Sequence, residues 1–223
     1  PLAVAVQATS ESPQTLVLLQ RPLIPEADRE ALAKQQAAAA VALLRLDAPA
    51  RVWPLLQDSP DPSVRSYMLD RLPRYGLGAE SLTGQLAVET DAGRRRALIQ
   101  GLGELAAAGL IDAVLKPTLI SDLLSRYRND PDSGVHGMCE WALRQLGVED
   151  QLVTIQHEFA KGAVEGDRRW YLTKTGGKTP DDTAISLAIV DATAEFRMGS
   201  PLSEIGRYGG AESRSNWELL HRR

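Results

Sequence analysis

Residues 61–72 read DPSVRSYMLDRL, and this stretch decides the fold. An acidic residue opens it, a proline follows where a helix tolerates a missing N–H, and apolar side chains recur at Val64, Met68 and Leu72. A spacing of four sets those three on one stripe of a helix and leaves the opposite face in water. The arrangement returns as Asp91, Arg94, Leu98 and Leu102, and again as Asp132, Val135, Cys139 and Leu143. The three aspartates stand 30 and then 41 residues apart. A variable period of this size predicts degenerate helical hairpins stacked on one another, not a coiled coil.

Upstream, residues 26–46 are almost all strong helix formers, and Ala38, Ala39 and Ala42 are expected to admit a neighbouring helix closely. Asp47 and Pro49 end that helix. PARVWPLLQDS (49–59) reads as a short partner helix or a turn, with Trp53 as a core anchor. AESLTGQLAVE (79–89) and LKPTLISDLLSRYRND (115–130) supply the partner helices of the next two units, and LVTIQHEFAKG (152–162) one more helix. Residues 1–25 form an irregular lead-in, where LAVAV and TLVLL read either as short strands or as parts of frayed helices. Gly162, Gly166, Gly176 and Gly177 mark a linker. Beyond it, 184–190 and 194–198 alternate apolar and polar residues as short strands do, and 206–223 reads as a surface loop. The expected division is a lead-in at 1–25, a helical array at 26–162, a linker at 163–183 and a distinct segment at 184–223.

The 223 residues suffice for one large or two small domains with ample core. Aromatics are scarce at 5%, which suits closely packed helices. A net charge of −4 gives no basic footprint, so no nucleic-acid partner is expected. The single cysteine, Cys139, excludes an internal disulfide framework and a multi-thiolate zinc site. No apolar run approaches the ~20 residues of a membrane span and no secretory signal is visible, so the expectation is a cytoplasmic chain without membrane contact. It begins at Pro1 and reads as a segment of a longer polypeptide.

Chemistry-bearing residues are few. Cys139 falls on the apolar stripe and reads as a buried structural thiol. His136 lies one turn before it, but two ligands without a third do not make a metal site. His157 and His221 are isolated and expected to face solvent. Arg94, Arg95 and Arg96 stand at a helix start, where cations oppose the helix dipole. A solvated face is the default there, with a partner acid or an acidic ligand as the alternative. GGKT at 176–179 matches the end of a phosphate-binding loop, but Leu172 occupies the place of its first glycine and Pro180 blocks the helix that should follow. No catalytic, cofactor-binding or metal-binding residue is assigned.

The acid–proline–helix units over 26–147 resemble HEAT-type repeats, in which an Asp-Pro turn leads into the second helix of each pair. A second resemblance lies in EFRMGSPLSE (195–204). Phe196, Met198, Gly199, Ser200, Pro201 and Glu204 are similar to the opening of the formylglycine-generating enzyme (sulfatase-modifying factor) domain. Gly206-Arg207, Glu218 and residues 221–223 are similar to that family's early loop. RRWYL at 168–172 resembles the lead-in to this domain in large bacterial proteins, planctomycete ones in particular. There an amino-terminal serine/threonine kinase is joined through helical repeats to a carboxy-terminal domain of this kind. The resemblance implies a mainly α chain: a HEAT-like array followed by the truncated start of an α/β domain at 184–223. It implies a non-catalytic scaffold or linker, with a protein or neighbouring domains of the same polypeptide as partners. Copper and cysteine oxidation are implied for a complete domain. The family's copper-binding cysteines lie near its carboxy-terminal end and no residue here matches them, so no cofactor is expected in this chain. The alternatives are a part of a copper-dependent cysteine oxidase, completed by oligomerisation, and a stand-alone HEAT-type protein-binding module.

Overall fold

Pro25 fixes the entry of the first helix, and its carbonyl accepts the N–H groups of Asp28 and Arg29. The computed structural model describes residues 25–76, 78–174 and 184–190. Within them the chain is mainly helical, with one two-stranded sheet. The α-helices are α1 (Glu26–Arg45), α2 (Ser63–Arg71), α3 (Ala79–Val88), α4 (Ala92–Ala107), α5 (Leu115–Asn129), α6 (Ser133–Gln145) and α7 (Glu149–Phe159). The strands are β1 (Trp170–Lys174) and β2 (Ala184–Ala188). Helix α1 packs on α2, α3 on α4 and α5 on α6, while α4 also lies against both α2 and α6. One core of leucine, alanine, valine and isoleucine side chains runs through all the helices, from Ala37 in α1 to Ile155 in α7.

The stripes lie where the spacing puts them. Met68 and Leu72, Leu98 and Leu102, and Val135, Cys139 and Leu143 are all buried, and Val64 is half-buried. Asp91 caps α4 by accepting the Arg94 N–H at 2.8 Å, and Asp132 caps α6 by accepting the Val135 N–H at 2.8 Å. The first unit differs. Helix α2 starts at Ser63, one residue after Pro62, and Asp61 accepts the Ser63 N–H at 3.0 Å as a turn ahead of the helix. In α1 the buried face is Ala33, Ala37, Ala40, Val41 and Leu44, while Ala39 and Ala42 are exposed and Ala38 is half-buried. A run of four alanines carries too little periodicity to tell one face from the next, and the contact with α2 selects it. PARVWPLL forms two 3₁₀ turns, Pro49–Arg51 and Trp53–Leu56, with Val52 and Leu56 buried and Trp53 packed on the edge of the core.

The sheet falls partly in the stretch expected to be linker. WYLTK alternates buried and open residues, with Trp170 and Leu172 facing inward. It pairs antiparallel with β2, Trp170 opposite Ala188 and Leu172 opposite Ser186. The first expected C-terminal strand is thus present as Ala184–Ala188. The second, at 194–198, lies outside the described residues, as does the lead-in up to residue 24. Trp170 brings the hairpin onto the helices, and the compact unit holding both runs to Ile189.

Helix α4 reaches its neighbours closely because glycine stands at the points of approach. A Cβ on Gly103 would overlap the Trp141 ring of α6, whereas one on Gly137, on the outer face of α6, would meet nothing within 4 Å. Gly103→Ala is therefore expected to destabilise the chain by about 1–3 kcal/mol through overpacking against a rigid ring. Gly137→Ala should gain about 0.5–1 kcal/mol by restricting the unfolded chain. Urea midpoints at unchanged slope measure both; stabilisation of similar size in the two variants would place Trp141 elsewhere.

Candidate functional site

The turns ahead of α4 and α6 gather most of the polar chemistry. The three arginines at the start of α4 each meet carboxylates. Arg94 lies 3.2 Å from Glu89 and 3.8 Å from Asp91, and Arg95 lies 3.2 Å from Asp130. Arg96 bonds Asp58 and comes within 4.0 Å of Asp132. Arg65 of α2 holds the other oxygen of Asp58 at 2.6 Å. Of the two readings of the arginine run, the structure bears out the partner acids. The Arg65 hydrogen bond, opposed by partial burial and aided by Arg96, holds the Asp58 carboxyl below the usual carboxylate range. Burial pushes Glu89 up, but bonds from the Asp91 N–H and the Gln85 amide, the Arg94 charge and the Thr90 N–H bring it below its ordinary value.

The turn between α5 and α6 does the most. The Asp130 side chain accepts from Arg95 and from the Asp132 N–H, and its carbonyl accepts the Trp170 indole N–H at 2.8 Å. The Pro131 carbonyl accepts the Arg169 N–H at 2.9 Å. The α4–α6 packing and the seat of the hairpin therefore share three residues. Beside them is a shallow depression of about 360 Å³ lined by Asn129, Pro131, Glu165, Gly166, Asp167 and Arg168.

At the centre of the hairpin's seat lies His136, 1% exposed. Its ring is stacked between Tyr127 of α5, with centroids 4.2 Å apart, and Trp170 of β1, 3.6 Å apart. Phe159 of α7 meets Trp170 edge-on at 6.3 Å, and the Arg168 guanidinium covers both Phe159 and Trp170. Nδ1 stands 2.8 Å from the Tyr127 carbonyl oxygen and Nε2 stands 2.9 Å from Ser186 Oγ. A carbonyl only accepts, so Nδ1 carries the proton and neutral Nε2 accepts from the Ser186 hydroxyl. Burial lowers the ring's basicity to about 4, against the opposing pull of the Tyr127 carbonyl and Glu140. The same burial raises the Tyr127 phenol to about 12. That hydroxyl, beside the Gln156 amide, has no partner in bonding geometry among the described residues.

A serine hydroxyl donating to an imidazole is also how a nucleophile is presented to its base. The comparison fails on electrostatics. The group behind the imidazole is a neutral carbonyl, not a carboxylate, and burial disfavours the imidazolium that proton removal would form. The arrangement fastens the hairpin; it does not activate Ser186. His136 is equally unsuited to a metal, because both ring nitrogens are engaged within the protein. Cys139, one turn on, is buried with its thiol pushed well above its ordinary value, chiefly by desolvation. Among the described residues no group of three or more His, Cys, Asp or Glu side chains is placed to hold a metal ion. His157 is exposed, as expected. His221, the GGKT segment and the motif residues Phe196, Met198, Gly199, Ser200, Pro201 and Glu204 lie outside the described residues.

Nothing in the amino-acid sequence alone groups Tyr127, Trp170 and Ser186. The usable signal was WYLTK, whose aromatic and β-branched alternation marks a half-buried strand.

Two reagents separate fastening from chemistry. An alkylating agent at pH 8 should leave Cys139 unmodified in the native chain and modify it fully in denaturant. A fluorophosphonate should leave Ser186 unlabelled; intact-mass adducts on the native chain at either residue would show a reactive group. No protein-family model, curated protein or solved structure compared with this chain matches it.

Proposed function

We propose that this chain is a non-catalytic helical scaffold of HEAT-like hairpins, presenting its outer faces to a protein partner or to neighbouring domains of the same polypeptide. The observation that carries this reading is the set of ties between one helix pair and the next. Arg96 reaches Asp58 before α2 and Asp132 before α6, and Arg95 reaches Asp130, so polar groups at the turns are spent on holding successive pairs in register. Helix α4 packs on α2, α3 and α6, which supports a stacked array whose stability adds up pair by pair. The motif at 196–204 supports placing the scaffold in a multidomain bacterial protein with a formylglycine-generating-enzyme-like domain, on sequence grounds alone. The rival reading, part of a copper-dependent cysteine oxidase, asks for exposed thiolates to hold copper(I). Cys139, the one cysteine in the sequence, is buried in the core, which weighs against its own thiolate serving copper.

Leu44→Ala tests the array. Leu44 is buried in α1, and its truncation should cost about 2–5 kcal/mol. Amide exchange should lose protection in α1 and α2 and keep it in α6; equal loss throughout would mark a single cooperative body. For the rival, a cysteine-containing sulfatase peptide incubated with the chain, copper(I) and oxygen should keep its mass. Conversion that disappears in Cys139→Ser would overturn the scaffold reading.

A further inference from the structure

His136 is the one titratable side chain among those that clasp the hairpin whose ordinary value lies near neutrality, and both its nitrogens are committed. We propose that His136 is a proton-operated catch: neutral, it holds the β1–β2 hairpin against α5 and α6, and on taking up a proton it lets the hairpin lift while the helices stay folded. Protonating Nε2 leaves the Ser186 hydroxyl able to turn and accept, so the hydrogen bond itself survives. What the site does not provide is solvation for the charge. The ring is closed on its two faces by Tyr127 and Trp170 and, among the described residues, bonds no carboxylate.

Among the described residues the groups facing it are few. From its own helix, Glu140 favours the proton; from the segment ahead of β1, Arg168 opposes it. Helix α5 contributes the Tyr127 phenol, which stays neutral throughout acid and neutral pH, and β2 contributes the Ser186 hydroxyl. Behind these, α7 supplies the Gln156 amide and the Phe159 ring. Aromatic rings attract cations, but the Arg168 guanidinium, 5.0 Å from the Trp170 ring, already draws on that ring. Burial therefore decides, and the folded-state value falls to about 4, below the ordinary 6.5. The grip is complete above about pH 6.5 and weakens as pH falls, the opening constant rising by up to about tenfold per pH unit down to about 4. The remaining hold is the Asp130 carbonyl on the Trp170 indole, the Pro131 carbonyl on the Arg169 N–H, and the buried apolar face of β1. Leu172 and Trp170 are buried, but Ile185 and Leu187 of β2 are 43% and 37% exposed. Opening would uncover the Tyr127 and Trp170 rings, an aromatic surface present only in acid.

Amide exchange of the full chain by NMR, expressed as protection factors from pH 7 to 4.5, tests the catch. The β1 and β2 amides and the Trp170 indole N–H should lose at least about tenfold protection between pH 6.5 and 5. Over that range α4 should be unchanged. His136→Gln, whose amide can donate to the Tyr127 carbonyl and accept from Ser186, should give hairpin protection that does not vary with pH, whatever its level. Flat protection in the unaltered chain, joint loss in hairpin and α4, or the same slope in His136→Gln would each overturn the proposal. Should His136→Gln not fold, the imidazole titration of the unaltered chain decides: a value near or above 6.5 refutes it, and one well below, with selective hairpin loss, supports it.

Discussion

A guanidinium taken out of water must bring its counter-charge with it, and Arg95 does so in a single residue. Its side chain is 14% exposed and that of its partner Asp130 is 8% exposed. Removing either partner of so sheltered a pair would strand the other, a loss on the order of 3 kcal/mol. The pair thereby fixes where the α5–α6 turn stands relative to α4. From that turn Asp132 opens α6, and the Asp130 and Pro131 carbonyls receive the Trp170 indole and the Arg169 N–H. The hairpin's seat is thus set by an ion pair made on the far side of the same three residues.

The same economy separates this cluster from a catalytic one. His136 has a hydroxyl on one nitrogen and an oriented acceptor on the other, the outline of an activated serine. Activation, however, requires the protein to stabilise charge on the imidazole, and here aromatic rings and a neutral carbonyl surround it. Geometry alone would mislead; the dielectric surroundings decide. A buried neutral histidine is good at specifying which surfaces meet.

Much of the helical part was legible because caps and stripes are local. Asp91 and Asp132 announce their helices within four residues, and the buried positions of α4 and α6 follow by counting. The contact face of α1 was not legible, since a run of alanines is nearly symmetrical about the helix axis. The hairpin's seat was not legible either. Tyr127, His136, Trp170 and Ser186 come from four separate elements, and nothing in the spacing of any one of them points to the others. The arginine run was half legible: Glu89 and Asp91 stand just ahead of Arg94 in the sequence, but only the fold says that Asp58, Asp130 and Asp132 come from the turns of neighbouring pairs.

The longer second interval between the aspartates lies in the helices, since α4 and α5 run 16 and 15 residues against 9 and 10 for α2 and α3, whereas the turns differ in what they carry. The acidic turns carry ion pairs, caps and, in one case, the hairpin, so a residue added there would move several bonds at once. The α4–α5 connection at 108–114 carries little of this: Leu110 is 42% and Val114 87% exposed. Grafted sequence, whether natural insertion or engineered epitope, has a permissive rim at 108–114 and a prohibitive one at 130–132.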